Sequence, residues 1–462
     1  MRYISTRGQS PAISFADMLL AGLAPDGGLY LPEAWPQFTP EEIAGFKGKP
    51  YVAVAEAVLS KLIGDSFSPE ELREDIAAAY ASFDDARIAP LSQIGEGLYL
   101  LELYHGPTLA FKDVALQILG RLFARALKRQ GGRATVLAAT SGDTGSAAIA
   151  ALGGLENIEV FVLHPKGRVS EVQRRQMTTA PFENVHNLAI EGTFDDGQAI
   201  VKALFAETEF ANAVSLTAVN SINFARIAAQ AVYYFTVAAE FGVPPVFVVP
   251  TGNFGDVFAG EAAMRMGLGI EKLVVATNSN DIMARALNTG IYAAGKAHQT
   301  LSPSMDIQVA SNFERALFEA SGRDAEFVAQ AMESFTRTHH LQLPPKLLAD
   351  LATRYAAERH GDADTMAAIK RLEGETGRLI DPHTGVALAA AYNQGVSEKV
   401  PVVVLSTAHP AKFPGAVEKA AGRIPEVPPR LKAALEGEEK CHVLPAEKAL
   451  VRGFIEAIVR GP

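Results

Sequence analysis

Lys112 is the residue of this sequence whose setting best suits covalent chemistry. It follows a turn at Gly106-Pro107 and opens a helical pattern in which apolar residues such as Leu119 and Leu122 recur. The first turn of a helix disfavours a cation, so a lysine there suggests an amine that works uncharged. A desolvated lysine amine can attack an aldehyde and form a Schiff base. The alternative is an ordinary lysine whose ammonium group lies in solvent.

Two glycine-bearing loops each join an apolar run to a helical pattern. Residues 134–139 read as a buried strand, followed by the loop 140–145; residues 245–250 form a second apolar run, followed by 251–256. Backbone amides at such a turn, together with a helix N-terminus, suit a phosphate group. Either loop alone is weak evidence for a phosphate site, because junctions of this kind are common packing features in α/β proteins. Both loops and Lys112 in one chain favour a phosphorylated aldehyde cofactor.

Composition limits the class of protein. The chain has 462 residues, a formal net charge of -10 and 48% hydrophobic residues, as expected for a globular protein of two or three domains. The negative charge argues against general nucleic-acid binding. Cys441 is the single cysteine, which excludes an intrachain disulfide and fits a reducing compartment. Because no apolar run reaches membrane-spanning length and no signal-peptide core is present, we expect a cytoplasmic protein without membrane partners.

The order of the patterns predicts an α/β fold. Residues 1–95 read as a mostly helical N-terminal domain, and residues 96–430 as a catalytic domain in which strands alternate with helices. Such alternation predicts mainly parallel sheets with helices on both faces. We expect a smaller, mobile lobe at about residues 144–222, with a ligand crevice at the carboxyl ends of the strands. Residues 431–462 read as a helical extension.

Several motifs along the chain, taken together and in order, resemble the threonine synthase family in its bacterial and fungal form, which has an added N-terminal domain. The resemblance covers about nine tenths of the chain. It is carried by residues 22–30 (GLAPDGGLY), 105–113 (HGPTLAFKD), 140–145 (TSGDTG), 164–167 (HPKG), 220–226 (NSINFAR), 250–256 (PTGNFGD), 302–307 (SPSMDI) and 406–413 (STAHPAKF).

This resemblance implies a fold-type II pyridoxal-phosphate enzyme, similar to the β subunit of tryptophan synthase. Lys112 should hold the cofactor covalently, the amides of residues 252–255 should bind its phosphate, and Thr407 should face the pyridine nitrogen. Asp143 stands where many related enzymes have an asparagine beside the cofactor's phenolic oxygen, although it is also a good helix N-cap. The implied cofactor-binding residues are Lys112, Asp143, Gly252, Asn253, Phe254, Gly255 and Thr407.

The substrate implied by the resemblance is O-phosphohomoserine, which carries a carboxylate and a phosphate. The carboxylate should lie at a helix N-terminus formed by Ser141, Gly142 and Thr144. The phosphate should be clamped by Lys166, Ser221, Asn223 and Arg226, where the arginine can bind it through two nitrogens. Residues 220–223 also fit a simple capping turn for the following helix. The segment after His164 has Lys166 and Arg168, whereas some relatives exchange the two residue types.

The implied reaction converts O-phosphohomoserine and water to threonine and phosphate. A phospholyase that releases 2-oxobutyrate and a non-catalytic binder of amino acids or cofactor remain the alternatives. We expect a monomer or weak homodimer. His383 and His409 are interpreted as residues that shape loops near Thr407, not as metal ligands, so no metal is expected. Tyr233, Tyr234 and Phe235 lie in an apolar helix and are predicted to be core.

Overall fold

The computed structural model describes residues 1–140, 142–218, 221–394 and 399–460. Its N-terminal region joins a small antiparallel sheet, in the order β2-β1-β3, to four helices. Thr39 and Ser68 start two of these helices with capping boxes, in which the glutamate three residues later bonds back to the cap residue. The elements are β1 (Arg2–Ser5), β2 (Ile13–Ser14), α1 (Phe15–Ala21), β3 (Tyr30–Pro32), α2 (Pro40–Ala44), α3 (Tyr51–Ile63) and α4 (Pro69–Tyr80).

A hairpin and a long helix then position Lys112. Strands β4 (Leu91–Gly95) and β5 (Leu98–Glu102) pair antiparallel, and helix α5 (Lys112–Arg129) begins at the lysine itself. Gly106 lies against Asp113, where a Cβ atom would come within 2.4 Å of the Asp113 Cβ atom. This close approach lets the carboxylate of Asp113 accept hydrogen bonds from the backbone and side chain of Thr108. The loop before Lys112 is therefore fixed from both sides.

The next segment forms most of a smaller lobe. The apolar run predicted at residues 134–139 is one of its strands, and the four strands of this segment all pair parallel. The elements are β6 (Ala134–Ala139), α6 (Asp143–Leu152), β7 (Ile158–Pro165), α7 (Glu171–Thr178), β8 (Val185–Glu191), α8 (Phe194–Ala206), α9 (Thr208–Ala213) and β9 (Leu216–Thr217).

The chain then returns to the larger lobe. The first element of this segment is a helix that is buried over almost all of its surface. Tyr233, Tyr234 and Phe235 of this helix are fully buried, which confirms that they are core residues. The elements are α10 (Phe224–Ala238), β10 (Val246–Pro250), α11 (Gly255–Arg265), β11 (Lys272–Thr277), α12 (Ile282–Thr289), β12 (Ile291–Ala293), α13 (Phe313–Ala320), α14 (Ala325–Thr338), β13 (His340–Gln342), α15 (Pro345–Arg354), β14 (Tyr355–Arg359), α16 (Asp362–Thr376), α17 (Pro382–Tyr392), β15 (Val402–Ser406) and α18 (Pro414–Ala421).

The main sheet has the order β14-β11-β10-β15-β5-β4 and is parallel except at the β4–β5 edge. Its central strand β10 is buried at every position, consistent with a parallel sheet covered on both faces. Strands β12 and β13 form a separate antiparallel pair. The predicted α/β class with mainly parallel sheets in two lobes is confirmed.

The last segment differs from the helical extension expected from the sequence. It contains α19 (Pro429–Glu436), the strand β16 (His442–Pro445) and α20 (Lys448–Val459). Strand β16 pairs parallel with β8, so the small-lobe sheet has the order β16-β8-β7-β6-β9. An edge strand is held mainly by backbone hydrogen bonds on one side, so its side chains carry little of the alternating pattern that marks a strand. The small lobe therefore includes residues well outside 144–222.

Candidate active site

Lys112 lies close to the ends of strands from both sheets. Its side chain is 11% exposed, and its Nζ atom lies 3.8 Å from Oδ2 of Asp143, the first residue of α6. Burial lowers the pKa of Lys112 to about 8; Asp143 opposes that shift, while the nearby cations Arg226 and Lys412 add to it. This environment favours the neutral amine of Lys112, which is the state that the predicted Schiff-base chemistry requires.

Asp143 accepts contacts from three sides. Its Oδ1 atom lies 3.0 Å from Nζ of Lys412 and accepts a hydrogen bond of 3.0 Å from Nε2 of Gln173. Burial raises the pKa of Asp143, but the ammonium groups of Lys412 and Lys112 outweigh it and hold this pKa well below its usual range. Asp143 is therefore an ionised carboxylate that lies between the side chains of Lys112 and Lys412.

The second glycine loop presents free backbone amides. It follows β10 and reaches α11 through Phe254, whose φ of 64° lies in the left-handed region. None of the amides of residues 252–255 donates a hydrogen bond to another described residue. Asn312 holds this loop in place, because its backbone and side-chain amides both donate to the carbonyl of Asn253 at 3.0 Å. Free amides at a helix N-terminus form a site for a phosphate.

Thr407 follows β15, at the same edge of the main sheet. It is buried, its amide donates to Oγ1 of Thr384, and its carbonyl accepts from the amide of Phe111 at 2.8 Å. Within the described part of the chain, its own hydroxyl has no hydrogen-bond partner. The backbone contact to Phe111 ties Thr407 directly to the residue before Lys112.

Arg226 is a buried cation that lacks partners. It is 5% exposed, and among the described residues neither its Nε nor its Nη1 atom has a hydrogen-bond partner. Burial lowers its pKa to about 10, while Tyr233 and Asp256 oppose this shift. A buried guanidinium without partners is unfavourable unless an anion satisfies it. Arg226 is therefore a candidate ligand for an anion near Lys112.

Ser221 and Asn223, which the resemblance assigns to the substrate's phosphate together with Arg226, have hydrogen-bond partners within the chain. Asn223 caps α10 through Oδ1, which accepts from the amide of Ala225, and its Nδ2 atom donates to the carbonyl of Leu19 at 2.8 Å. The Ser221 hydroxyl lies 3.3 Å from that of Ser311. The capping role considered for this segment is thus present for Asn223.

The remaining residues expected to bind the substrate have different surroundings. Ser141 lies outside the described residues. Gly142 donates its amide to Oγ1 of Thr140 at 3.0 Å, whereas the amide of Thr144 has no partner among the described residues. Lys166 is about half exposed, and its ammonium pairs with Glu191 at 2.9 Å. The structure therefore does not bring Lys166 into contact with the other candidate residues.

Sequence reasoning missed the residues that hold the reactive groups in place. Lys412 is almost fully buried and donates to the carbonyl of Thr108 at 2.6 Å and to Oε1 of Gln176 at 2.8 Å. Arg315 contacts Asn312 and donates to the carbonyl of Ile222 at 2.6 Å. Lys412 was visible within the 406–413 motif, but nothing in its immediate sequence indicates a partner more than 250 residues away.

The two histidines have structural partners. Nδ1 of His383 lies 2.8 Å from Oδ1 of Asp381, and its Nε2 atom accepts from the amide of Ser304. Nδ1 of His409 accepts from the amide of Ala411, and burial lowers the pKa of His409 to about 4. In the described ranges, no group of three or more His, Cys, Asp or Glu side chains could hold a metal ion. Nor does any described helix have the length and apolarity to cross a membrane.

The residues present fit pyridoxal phosphate. The amine of Lys112 suits its aldehyde, the free amides of residues 252–255 suit its phosphate, and the unpartnered hydroxyl of Thr407 is available to its ring. Arg226 remains free for a second anion. This set of groups matches a phosphorylated aldehyde cofactor.

Comparison with known families agrees with this geometry. Residues 2–80 match the family described as threonine synthase N terminus, residues 86–346 match the pyridoxal-phosphate dependent enzymes, and residues 384–455 match the family described as threonine synthase, C-terminal. The three matches follow one another along the chain, and the middle one includes Lys112 and Gly252.

Individual relatives extend this agreement to the full length. Threonine synthase of Pseudomonas aeruginosa is 48% identical over 459 residues, covering 98% of each chain. The crystal structure of the pyridoxal-phosphate-bound threonine synthase from Brucella melitensis superposes with a TM-score of 0.97 at 48% identity, over 100% of both chains. The yeast threonine synthase structure gives a TM-score of 0.94 at 38% identity, over 98% of each chain.

Proposed function

The chain belongs to the threonine synthase family of pyridoxal-phosphate-dependent lyases, and we propose that it converts O-phospho-L-homoserine and water to L-threonine and phosphate with Lys112 as its acid-base residue. The observation that carries this assignment is the buried amine of Lys112 beside Asp143, at the edge where both sheets end. A cytoplasmic location and a monomeric or weakly dimeric state are further parts of the proposal.

Bound pyridoxal phosphate supplies an electron sink for negative charge that develops on the substrate's α-carbon. Lys112 would hold its aldehyde carbon and the amides of Gly252, Asn253, Phe254 and Gly255 its phosphate, while Thr407 would face the ring nitrogen. A hydroxyl cannot force that nitrogen to stay protonated as an aspartate would. Positioning of the reacting groups by the protein therefore has to contribute more to the reaction.

The lowered pKa of Lys112 decides what this residue can do at neutral pH. With a pKa of about 8, roughly a quarter of the amines are uncharged at pH 7.5, compared with roughly one in a thousand for an ordinary lysine. Once the substrate has displaced it, the neutral amine can remove the α-proton. It would have to give this proton to the carbon derived from the cofactor's aldehyde before it is neutral again and can remove a β-proton. Positioned proton transfer of this kind is worth about 10² to 10⁴-fold in rate per step.

Arg226 is the best-supported ligand for the substrate's phosphate. Its guanidinium can donate to the phosphate oxygens, and binding the anion would relieve the penalty of a buried cation whose Nε and Nη1 atoms have no hydrogen-bond partner among the described residues. Ser221 and Asn223 lie just before it, and Asn223 can add a contact only alongside its capping hydrogen bonds. Retention of this phosphate after it leaves the γ-carbon would keep a base available for the water that adds at the β-carbon.

The substrate's carboxylate is assigned to the start of α6. The amides of Asp143 and Thr144 have no partner within the described ranges, and the helix N-terminus favours an anion. Ser141 and Gly142 remain part of this assignment, although Gly142 would have to release Thr140 to donate its amide.

Lys166 contributes to the phosphate clamp only if the small lobe moves towards Arg226, because its ammonium now pairs with Glu191. Such a contact predicts that Lys166→Met raises KM for the substrate more than tenfold while Glu191→Gln leaves it unchanged. If the surface ion pair is its only role, both variants should change KM less than about fivefold.

The product of the reaction tests the assignment. Purified protein with pyridoxal phosphate and O-phosphohomoserine should release phosphate and threonine in a one-to-one ratio. Phosphate accompanied by 2-oxobutyrate would instead identify a phospholyase. Cofactor binding without phosphate release would identify a different substrate or a non-catalytic binder.

A further inference from the structure

Lys412 is a charged side chain whose surroundings resemble those of a functional group more than those of a packing residue. It is 1% exposed and lies at the end of the short turn that follows Thr407. Its three ammonium protons match three acceptors: Oδ1 of Asp143 at 3.0 Å, the carbonyl of Thr108 at 2.6 Å and Oε1 of Gln176 at 2.8 Å. A buried ammonium is tolerated only when its hydrogen bonds and its charge are both satisfied.

The position of this ammonium decides the charge around Lys112. Asp143 presents Oδ2 to Lys112 and Oδ1 to Lys412, so the same carboxylate bridges the two lysines. The other charged groups that act on Lys112 are Arg226, on α10, and Asp113, on its own helix. Without Lys412, the carboxylate would have Lys112 as its main counterion and would hold it as an ammonium ion.

We propose that Lys412 is a positioning residue for Lys112: its ammonium neutralises Asp143, so that the carboxylate orients the reactive amine without keeping it protonated. The Asp143–Lys412 pair then acts as a single neutral, polar group. This explains how an aspartate can serve where many enzymes of this fold have a neutral asparagine. The inference rests on the proposed role of Lys112 as the residue that binds the aldehyde.

Opposite shifts from two substitutions would separate this role from simple packing. Lys412→Met leaves Asp143 to pair with Lys112 and should raise the pKa of Lys112 by about one pH unit or more, as expected for a carboxylate within 4 Å. Asp143→Asn leaves the cation of Lys412 near Lys112 and should lower that pKa. The double variant Asp143→Asn/Lys412→Met removes both charges and should return it to near the parent value.

The pKa of Lys112 can be followed without turnover. Cofactor-free, full-length protein is mixed with pyridoxal phosphate, and the rate of covalent attachment is measured by absorbance between pH 6.5 and 10. Because attachment needs the neutral amine, the midpoint of the rate profile reports Lys112, and titration of the cofactor itself is common to all variants. Lys419→Met, an exposed lysine on α18, is the matched control and should leave the midpoint unchanged.

The inference is upheld by a higher midpoint in Lys412→Met, a lower one in Asp143→Asn and recovery in the double variant. It is overturned if both single variants shift the midpoint in one direction, or if neither shifts it. If circular dichroism shows that Lys412→Met alone does not fold, the double variant replaces it in the test. Its midpoint must then be higher than that of Asp143→Asn alone. Failure of the proposed function would give a different result, because pyridoxal phosphate would then still attach covalently to the Lys112→Ala variant.

Discussion

Replacing Arg226 by methionine should weaken substrate binding and stabilise the free protein at the same time. Burial lowers the pKa of this guanidinium to about 10, which corresponds to about 3 kcal/mol of unfavourable energy for keeping it charged at neutral pH. Because the folded-state pKa is depressed, this penalty is fully present below pH 10 and disappears as the pH rises above it. Methionine removes the charge while retaining a long, apolar side chain.

The expected magnitudes follow from that penalty and from the unpartnered nitrogens. Relief of about 3 kcal/mol should raise Tm by roughly 3–6 °C in a chain of this size, less whatever packing is lost. Loss of two charged hydrogen bonds from the guanidinium to the substrate's phosphate, at about 1.5–3 kcal/mol each, should lower kcat/KM by about 10² to 10⁴-fold.

Thermal unfolding in the absence of ligands and steady-state kinetics with O-phosphohomoserine measure the two effects. Arg337→Met, an exposed residue of α14, is the matched control and should change neither quantity appreciably. A less stable Arg226→Met protein with unchanged kcat/KM would refute the reasoning, because the guanidinium would then be a structural group with no anion to bind.

Three further predictions follow from the site. Lys112→Ala should lose both the absorbance of the bound cofactor and at least about 10³-fold in turnover, measured by spectroscopy and phosphate release, while Lys128→Ala at the exposed end of α5 keeps both. Gly142→Ala should lower Tm, because its Cβ atom would lie 2.4 Å from Cδ of Gln173, whereas Gly374→Ala, with open space around it, should raise Tm slightly. The rate of cofactor attachment in the parent protein should rise about tenfold per pH unit up to about pH 8 and level off above it, since only the neutral Lys112 amine reacts; a flat profile would contradict the lowered pKa.

The fold was largely predictable because its central strands are buried on both faces. Residues 134–139 and 402–405 are continuous apolar runs, and the structure has strands at both places. The edge strands β14 and β16 could not be found in this way, because their sequences, YAAER and HVLP, lack a clear apolar pattern. Both are held by backbone pairing to one neighbour.

The site was predictable where a residue's role depends on its own motif. Lys112 and the free amides of residues 252–255 have the environment expected from their position at helix N-termini. Lys412 could not be assigned, because its ammonium binds the carbonyl of Thr108, 304 residues earlier in the chain. Local sequence indicated the cap that Asn223 forms on α10, but it could not show that the Nδ2 atom of Asn223 donates to the carbonyl of Leu19 in the N-terminal domain.

Identification of the lysine that carries the cofactor tests the central claim most directly. The holoenzyme is reduced with borohydride, digested, and its labelled peptide sequenced by mass spectrometry. The label should lie on Lys112, in the segment HGPTLAFKD. A label on Lys412, on Lys166 or on no lysine would contradict the assignment of Lys112 as the reactive amine.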